Sequence, residues 1–210
     1  MSIYSFYFDA SRCTGCKTCE LACKDYKDLP VSYGYRRIYD YEGGTWDVAQ
    51  DGTVRQDVFS YHMSISCNHC DDPACTKACP TQAMHKDKES ELILVDESRC
   101  IGCGYCELAC PYDAPRVDKK KGHSVKCNAC KERLDEGKQP ICVEACPLRA
   151  LDFGPMEEIE ERYGEDAQIP DFAPLPEFKY TTPSLFVKPC ASIKASGDTS
   201  GHVANSKEVH

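Results

Sequence analysis

Cysteine spacing constrains this chain more than any other feature of its sequence. The stretch RCTGCKTCELACK, from Arg12 to Lys24, carries four cysteines that are two, two and three residues apart. In runs of this spacing, three thiolates bind one cubane iron–sulfur cluster and the fourth reaches a neighbouring cluster. The chain has 17 cysteines in 210 residues, which is close to the density that indicates a disulfide or metal scaffold.

The cysteine motif belongs to an internal duplication. FDASRCTGCKTCELAC, residues 8–23, aligns without gaps on VDESRCIGCGYCELAC, residues 95–110, with eleven of sixteen positions identical. A second pair of segments, which begin at Cys67 and Cys127, shares C-N-x-C followed by P-x-C-x-x-A-C-P-x-x-A. The segments therefore follow the order A, B, A′, B′, and a repeat this sharp fixes the architecture before any secondary structure is assigned.

Sixteen of the cysteines fall into four groups, and Cys190 lies outside all of them. Group one is Cys13, Cys16, Cys19 and Cys23; group two is Cys67, Cys70, Cys75 and Cys79; group three is Cys100, Cys103, Cys106 and Cys110; group four is Cys127, Cys130, Cys142 and Cys146. Gly15 and Gly102 are expected to let the backbone approach closely. Proline follows the last cysteine of groups two to four and should end the helix there; Lys24 follows group one, so that helix is expected to continue through KDYKD.

Disulfides and zinc are the competing interpretations of so many cysteines. Repeated C-x2-C spacing suits disulfides poorly, and nothing marks the chain as secreted. Groups two and four alone could form zinc ribbons. Groups one and three have a third cysteine at the same interval, which does not fit separate tetrahedral sites. Iron–sulfur clusters account for all four groups.

Composition limits the remaining possibilities. The apolar content of 41% and charged content of 28% predict a folded, soluble chain. A net charge of −9 argues against nucleic-acid binding. No apolar stretch approaches the roughly 20 residues that span a bilayer, and the N-terminal residues do not have the pattern of a signal peptide. We therefore expect no export signal and no membrane helix of the chain's own.

The whole chain resembles the iron–sulfur subunits of bacterial dimethyl sulfoxide reductases, within the wider class of four-cluster ferredoxin-like subunits of molybdopterin oxidoreductases. The segments that carry the resemblance are DASRCTGCKTCELACKDYKDL, SISCNHCDDPACTKACP, GKQPICVEACPLRALDFGP and GDTSG. In such subunits the motifs pair in a nested way, the first with the fourth and the second with the third.

The resemblance implies four [4Fe–4S] clusters and assigns their ligands, which we call sites 1 to 4. Site 1 is Cys13, Cys16, Cys19 and Cys146; site 2 is Cys127, Cys130, Cys142 and Cys23; site 3 is Cys67, Cys70, Cys75 and Cys110; site 4 is Cys100, Cys103, Cys106 and Cys79. Spacing alone is compatible with this nesting but does not establish it. Related nitrate reductase subunits have tryptophan in place of one group-three cysteine; Cys103 is present here, so four complete cubanes are expected.

The expected fold is α+β, a duplicated bacterial-ferredoxin-like fold that is rich in loops. One half comprises residues 1–30 and 112–165, and the other comprises residues 54–111. Residues 31–53 form a Tyr-rich insertion, predicted to be a hairpin that turns at Gly43-Gly44 and Asp51-Gly52. PMEEIEERYG is predicted to be a helix that Gly164 ends. Residues 166–210 are predicted to be an extended arm that lies on a partner, because their prolines and aromatics have no clear period.

The resemblance implies an electron wire without catalytic residues of its own. Such a subunit takes electrons from a quinol-oxidising membrane anchor subunit and delivers them to a molybdopterin catalytic subunit that reduces dimethyl sulfoxide or related S- and N-oxides. The alternatives are the same wire serving polysulfide or tetrathionate reduction, and a stand-alone soluble ferredoxin; the arm favours a bound subunit. Localisation would be at the membrane through the partners, on the periplasmic face by analogy. His85 and Lys86 are candidates for a quinol site shared with the anchor.

Overall fold

The computed structural model describes residues 3–209 and shows a mixed α+β fold with short helices. The strands are β1 Tyr4–Asp9, β2 Arg37–Gly43, β3 Trp46–Val48, β4 Val54–Gln56, β5 Phe59–Ile65, β6 Met84–Lys86, β7 Ile93–Val95, β8 Arg116–Asp118, β9 His123–Val125, β10 Leu151–Pro155, β11 Leu185–Lys188 and β12 Gly201–Val203. The helices are α1 Thr18–Tyr26, α2 Ala74–Lys77, α3 Tyr105–Ala109, α4 Lys131–Asp135, α5 Ile141–Glu144, α6 Met156–Tyr163 and α7 Ser206–Val209.

Strand β1 is the centre of a three-stranded sheet, paired antiparallel with β10 and parallel with β11. Its aromatic sequence suits a strand that is covered on both faces. Phe6 and Phe8 pack into the main core, and Tyr7 on the opposite face packs against Ile159 of α6. Helix α6 has the predicted position, and Gly164 follows its last turn. This sheet holds the start of the first cysteine loop.

The second sheet is built on a long hairpin. Strands β2 and β5 pair over seven positions, from Arg37 with Ile65 to Gly43 with Phe59, and β12 adds to the outer edge of β2. A smaller hairpin, β3–β4, lies at the tip and turns at residues 49–53. The predicted turn at Asp51-Gly52 is therefore confirmed. Gly43-Gly44 instead ends β2, whose partner β5 lies beyond the predicted insertion.

The two copies of the internal repeat form strand pairs that have the same register. Strand β6 follows cysteine group two and β7 precedes group three, and Met84 pairs with Val95. In the first sheet β10 follows group four and β1 precedes group one, and Leu151 pairs with Phe8. Helix α1 packs on α5, as α2 packs on α3. In space, group one therefore adjoins group four, and group two adjoins group three.

The prediction that the C-terminal arm lies on a partner is wrong for most of its apolar residues, which pack on this chain. Ala173, Leu175, Leu185 and Val187 are all at most 5% exposed. Val187 pairs with Phe8 of β1, and the arm thus completes the first sheet. The polar tail also folds back, because β12 pairs with β2 and α7 contacts β2. The core of the chain itself thus covers these side chains, whereas Ile169 and Tyr180 of the arm are exposed.

Helix α1 runs past the first cysteine group, as the absence of a proline after Cys23 predicts. The helix ends at Tyr26, before the end of KDYKD. It cannot continue through Asp28, because that residue has a positive φ of 47°. Within residues 3–209, the structure has no helix that is long and apolar enough to cross a membrane.

Candidate metal centres

The cysteines of site 1 line one cavity, although Cys146 is distant from the others in sequence. Its lining includes Cys13, Cys16, Cys19 and Cys146. Burial and the charges of Cys19, Cys146 and Cys16 together raise the pKa of the Cys13 thiol to about 11. The four thiols are therefore close enough to interact electrostatically.

The cysteines of site 4 also line one cavity. Cys79, Cys100, Cys103 and Cys106 all contribute to its lining. The backbone N–H of Met84 donates to Cys79 Sγ (3.4 Å), as that of Ala150 donates to Cys146 Sγ in site 1 (3.3 Å). In both cavities a backbone N–H thus donates to the last cysteine of a group, from the fifth residue after Cys79 and from the fourth residue after Cys146.

Site 2 is deeply buried. Burial raises the pKa of the Cys23 thiol, and the nearby charges of Cys127, Cys142 and Cys130 raise it too. Burial likewise raises the pKa of Cys130 to about 11. All four of these cysteines are buried. Cys23, the last cysteine of group one, therefore joins the three cysteines of group four.

The cysteines of site 3 are buried too, apart from the half-buried Cys110. Burial and the charges of Cys67 and Cys110 together raise the pKa of the Cys70 thiol to about 12. Burial also raises the pKa of Cys75, with Cys67, Cys110 and Cys70 contributing. The hydroxyl oxygen of Thr181, in the C-terminal arm, lies 3.4 Å from Sγ of Cys70. The arm thus reaches a predicted ligand, which sequence reasoning missed.

The donor sets fit iron–sulfur clusters. All seventeen cysteines are free thiols, and thiolates crowded together in low dielectric repel one another unless a cationic group lies between them. Within residues 3–209, no three Cys, His, Asp or Glu side chains converge on the position of a single metal ion. A cubane makes a different demand, since each of its four irons takes one thiolate. Each of the four proposed sites supplies four cysteines, the number that such a cluster would take.

Side chains and loops of neighbouring sites meet in a fixed order. The charge of Cys19 in site 1 contributes to the raised pKa of the Cys142 thiol in site 2. Cys67 of site 3 packs in one cluster of buried residues with Cys127 of site 2. Another such cluster joins Cys75 of site 3 to Cys106 of site 4. Site 2 therefore adjoins site 1, site 3 adjoins site 2, and site 4 adjoins site 3.

Solvent reaches the two ends of this series most readily. Cys16 of site 1 and Cys103 of site 4 are exposed, whereas the cysteines of sites 2 and 3 are buried, apart from the half-buried Cys110. The interior of the series is shielded from water, and its termini are accessible to other molecules.

His85 and Lys86 have partners within this chain. Nδ1 of His85 donates to the carbonyl of Ala83 (3.0 Å). Lys86 forms ion pairs with Asp71 (2.7 Å) and Glu91 (2.9 Å). Those contacts fix both side chains in the segment that follows group two, and a role in a quinol site stays a prediction.

Gly102 is needed where two loops meet, and we expect Gly102→Ala to weaken site 4. Its φ is +66°, and an added Cβ would lie 2.7 Å from the carbonyl oxygen of Gly122. The strained backbone and the clash should together cost about 1–3 kcal/mol and should lower both the melting temperature and the iron content.

Gly122→Ala is the matched control for this experiment. Gly122 has a similar φ of +78° but nothing within 4 Å of an added Cβ, so it tests the backbone cost alone. If both variants lose the same stability and iron, the approach of the Gly122 carbonyl is not what requires glycine at position 102. Gly15 has the corresponding conformation, with the His62 ring 2.6 Å from its added Cβ.

Cys190 is expected to be dispensable for cluster binding. It lies outside the four sites, with its Sγ 3.6 Å from the hydroxyl of Ser192. Cys190→Ala should therefore retain the iron and acid-labile sulfide content of the parent chain, measured on anaerobically purified protein. A loss of about four irons, the content of one cubane, would assign Cys190 to a site and overturn the grouping.

Comparison with known proteins defines first the class and then the family. A model of the 4Fe-4S dicluster domain matches residues 58–156, and a model of the 4Fe-4S binding domain matches residues 10–34. Fold and site thus define a ferredoxin-type iron–sulfur protein that carries electrons and is not a catalytic subunit.

Relatives extend over the full length of the chain. It is 57% identical to the B subunit of anaerobic dimethyl sulfoxide reductase of Haemophilus influenzae, over 209 residues and 100% of both proteins. The subunit of the same description from Escherichia coli K12 is 56% identical over 98% of both. The iron-sulfur subunit of nitrate-inducible formate dehydrogenase of Escherichia coli K12 is 33% identical over 73% of this chain and 54% of its own length. This chain belongs to the family of anaerobic dimethyl sulfoxide reductase B subunits.

Proposed function

We propose that this protein is the electron wire of a membrane-associated molybdopterin oxidoreductase that reduces dimethyl sulfoxide or a related S- or N-oxide. The observation that carries the proposal is the arrangement of the sixteen cysteines, four sets in series with an exposed cysteine at each end. Relatives described as dimethyl sulfoxide reductase B subunits, similar over the whole length, give the proposal its substrate.

The proposed ligand sets are sites 1 to 4, with one [4Fe–4S] cluster in each. Two ferredoxin-like halves would each hold two of them, groups one and four in one half and groups two and three in the other. Equal strand register in the two halves supports this duplication. Each bound cubane takes up and gives back one electron. The chain's own part is to fix the intervals between sites, exclude water from sites 2 and 3, and present sites 1 and 4 at the surface.

Electrons balance across the proposed complex. A quinol oxidised by a membrane anchor subunit loses two electrons and two protons and becomes a quinone. The wire passes the two electrons singly to a molybdopterin catalytic subunit. There an S-oxide takes up two electrons and two protons and becomes a sulfide and water. The protons do not have to pass through this subunit, so sites 2 and 3 can be shielded from water.

Affinity purification of the tagged full-length chain from anaerobically grown cells tests the proposal. We expect a large molybdenum-containing subunit and a membrane subunit to co-purify, and reduced quinol to supply electrons to dimethyl sulfoxide in that preparation. Iron and acid-labile sulfide should each approach about sixteen per copy of this subunit. A protein that carries the clusters but purifies alone, and exchanges electrons with several soluble enzymes, would instead be a free ferredoxin.

A further inference from the structure

Arg36 is a buried cation at the boundary between sites 1 and 2. The residue is 2% exposed. Burial opposes the charge of its guanidinium, yet the thiolates of Cys142 and Cys19 and of their neighbours outweigh this and raise the pKa of Arg36.

The hydrogen bonds of this guanidinium go to neutral oxygens. Nη1 donates to the carbonyl oxygen (3.2 Å) and the hydroxyl (3.0 Å) of Ser64, and Nη2 donates to the hydroxyl of Ser66 (3.0 Å). Within residues 3–209, no carboxylate forms an ion pair with it. A buried charge without a carboxylate partner is costly, so its position needs an explanation.

The guanidinium reaches both sites by different routes. Its route to site 1 runs through Ser64, whose hydroxyl oxygen is 3.0 Å from Nη1 and 3.6 Å from Sγ of Cys19. Site 2 lies against the same charge: Cys142 packs in one cluster of buried residues with Cys19, and the charge of Arg36 opposes the rise in the pKa of the Cys142 thiol that burial causes. The ring of Phe6, whose centroid is 4.8 Å from the guanidinium, holds it in place.

Lys126 occupies the corresponding position between sites 2 and 3. The residue is 5% exposed, and its Nζ donates to the backbone carbonyls of Ile93 and Cys127, with an Nζ to oxygen distance of 2.8 Å for the second. Cys127, whose carbonyl Lys126 binds, packs with Cys67 of site 3, and the charge of Lys126 opposes the rise in the pKa of the Cys67 thiol that burial causes. Among the described residues 3–209, no carboxylate forms an ion pair with this ammonium either. Both cations are therefore left to act on the thiolates beside them.

We propose that Arg36 and Lys126 are positioning residues of the wire that set the reduction potentials of neighbouring sites together, Arg36 for sites 1 and 2 and Lys126 for sites 2 and 3. This inference rests on the proposed function and names the residues that regulate it. Reduction adds one electron to a site, and a fixed positive charge in low dielectric stabilises the added negative charge. A cation between two sites raises the reduction potential of both, so its removal should make both sites harder to reduce.

Redox titration followed by low-temperature EPR, on the intact purified complex, tests the inference. In Arg36→Gln, two of the four cluster signals should become at least tenfold harder to reduce, which is a shift of about 59 mV to lower potential. In Lys126→Gln, two signals should shift likewise. The two pairs should share one signal, that of site 2, and the signal of site 4 should move in neither variant.

Matched variants separate electrostatics from folding. Arg37→Gln removes an adjacent buried arginine whose Nη atoms donate to the backbone carbonyls of Val209 (3.0 Å) and Tyr112 (2.5 Å) and not to a group that contacts a cysteine thiol. This substitution should leave all four reduction potentials unchanged. Arg36→Lys keeps the charge and should restore most of the shift. Ser64→Ala keeps Arg36 but breaks its route to Cys19, so the site 1 signal alone should move, even if Arg36→Gln fails to fold.

The outcomes distinguish this inference from the proposed function. Four clusters with unchanged potentials in Arg36→Gln and Lys126→Gln would overturn the inference and leave the wire intact. Equal shifts in Arg37→Gln would also overturn it, since they would show a general effect of destabilisation. A parent protein without about sixteen irons would overturn the proposed function itself.

Discussion

The Cys103→Ser chain is expected to bind one iron fewer than the parent chain. Cys103 is exposed and lies with Cys79, Cys100 and Cys106 around the cavity of site 4. Loss of one thiolate leaves one corner of a cubane without its protein ligand, while the remaining three cysteines still hold the cage. Low-temperature EPR of the oxidised protein should therefore show a 3Fe-type signal, and chemical analysis should find about fifteen irons where the parent has about sixteen.

Cys190→Ser provides the control for this substitution, because it makes the same chemical change in a half-buried cysteine outside the four sites. It should give neither the iron loss nor the 3Fe-type signal. Loss of all clusters from Cys103→Ser would mean that site 4 is required for folding. No change in any cluster would show that Cys103 is not a ligand, and the assignment of site 4 would have to be abandoned.

Local features of the chain were predictable from its sequence. Cysteine spacing indicated 4Fe-4S binding, which the matching family models confirm. The strands beside the motifs were also indicated, since YSFYFD and DVFSYHMSIS contain β1 and β5. Helix α6 was predictable because a proline, acidic residues in its first turn and a following glycine are all local signals. Each of these features depends on neighbours along the chain.

Features that depend on distant contacts were not predictable in the same way. Spacing could not show that Cys146 would lie beside the cysteines of group one, and only the resemblance suggested it. Arg36 was passed over because a pair of arginines among aromatics has no pattern that marks either one as buried. Its surroundings, Ser64 and Cys142, come from other parts of the fold.

The C-terminal arm was misjudged for the same physical reason. An apolar segment without periodicity needs a cover, and sequence alone does not say whether a partner or the chain itself supplies it. Here the cover is strand β1 and the core behind it, as the pairing of Phe8 with Val187 shows. The arm therefore no longer discriminates a bound subunit from a free ferredoxin, and that choice rests on the relatives and on co-purification.

Val187→Asp is expected to prevent stable folding and so to abolish cluster binding. Val187 is completely buried, and its N–H donates to the carbonyl of Gln168 (2.8 Å) while its strand pairs with β1. Burial of an unpaired carboxylate costs several kcal/mol, which is comparable with the roughly 5–15 kcal/mol that stabilises a whole domain. The backbone N–H of Ala10 donates to the carbonyl of the next residue, Lys188, at 2.9 Å. Loss of β11 would therefore also free the loop that begins site 1.

Val48→Asp is the matched control, since it makes the same change on the exposed β3–β4 hairpin, where Val48 is 58% exposed. It should alter stability by no more than about 0.5 kcal/mol and should retain its iron. Circular dichroism melting and iron analysis of both variants provide the comparison. If Val187→Asp melted like Val48→Asp and kept all its iron, β11 would not belong to the core, and the arm would have to find its cover on another subunit. The expected difference arises because one aspartate lies beside Phe8 in a dry core and the other lies in water.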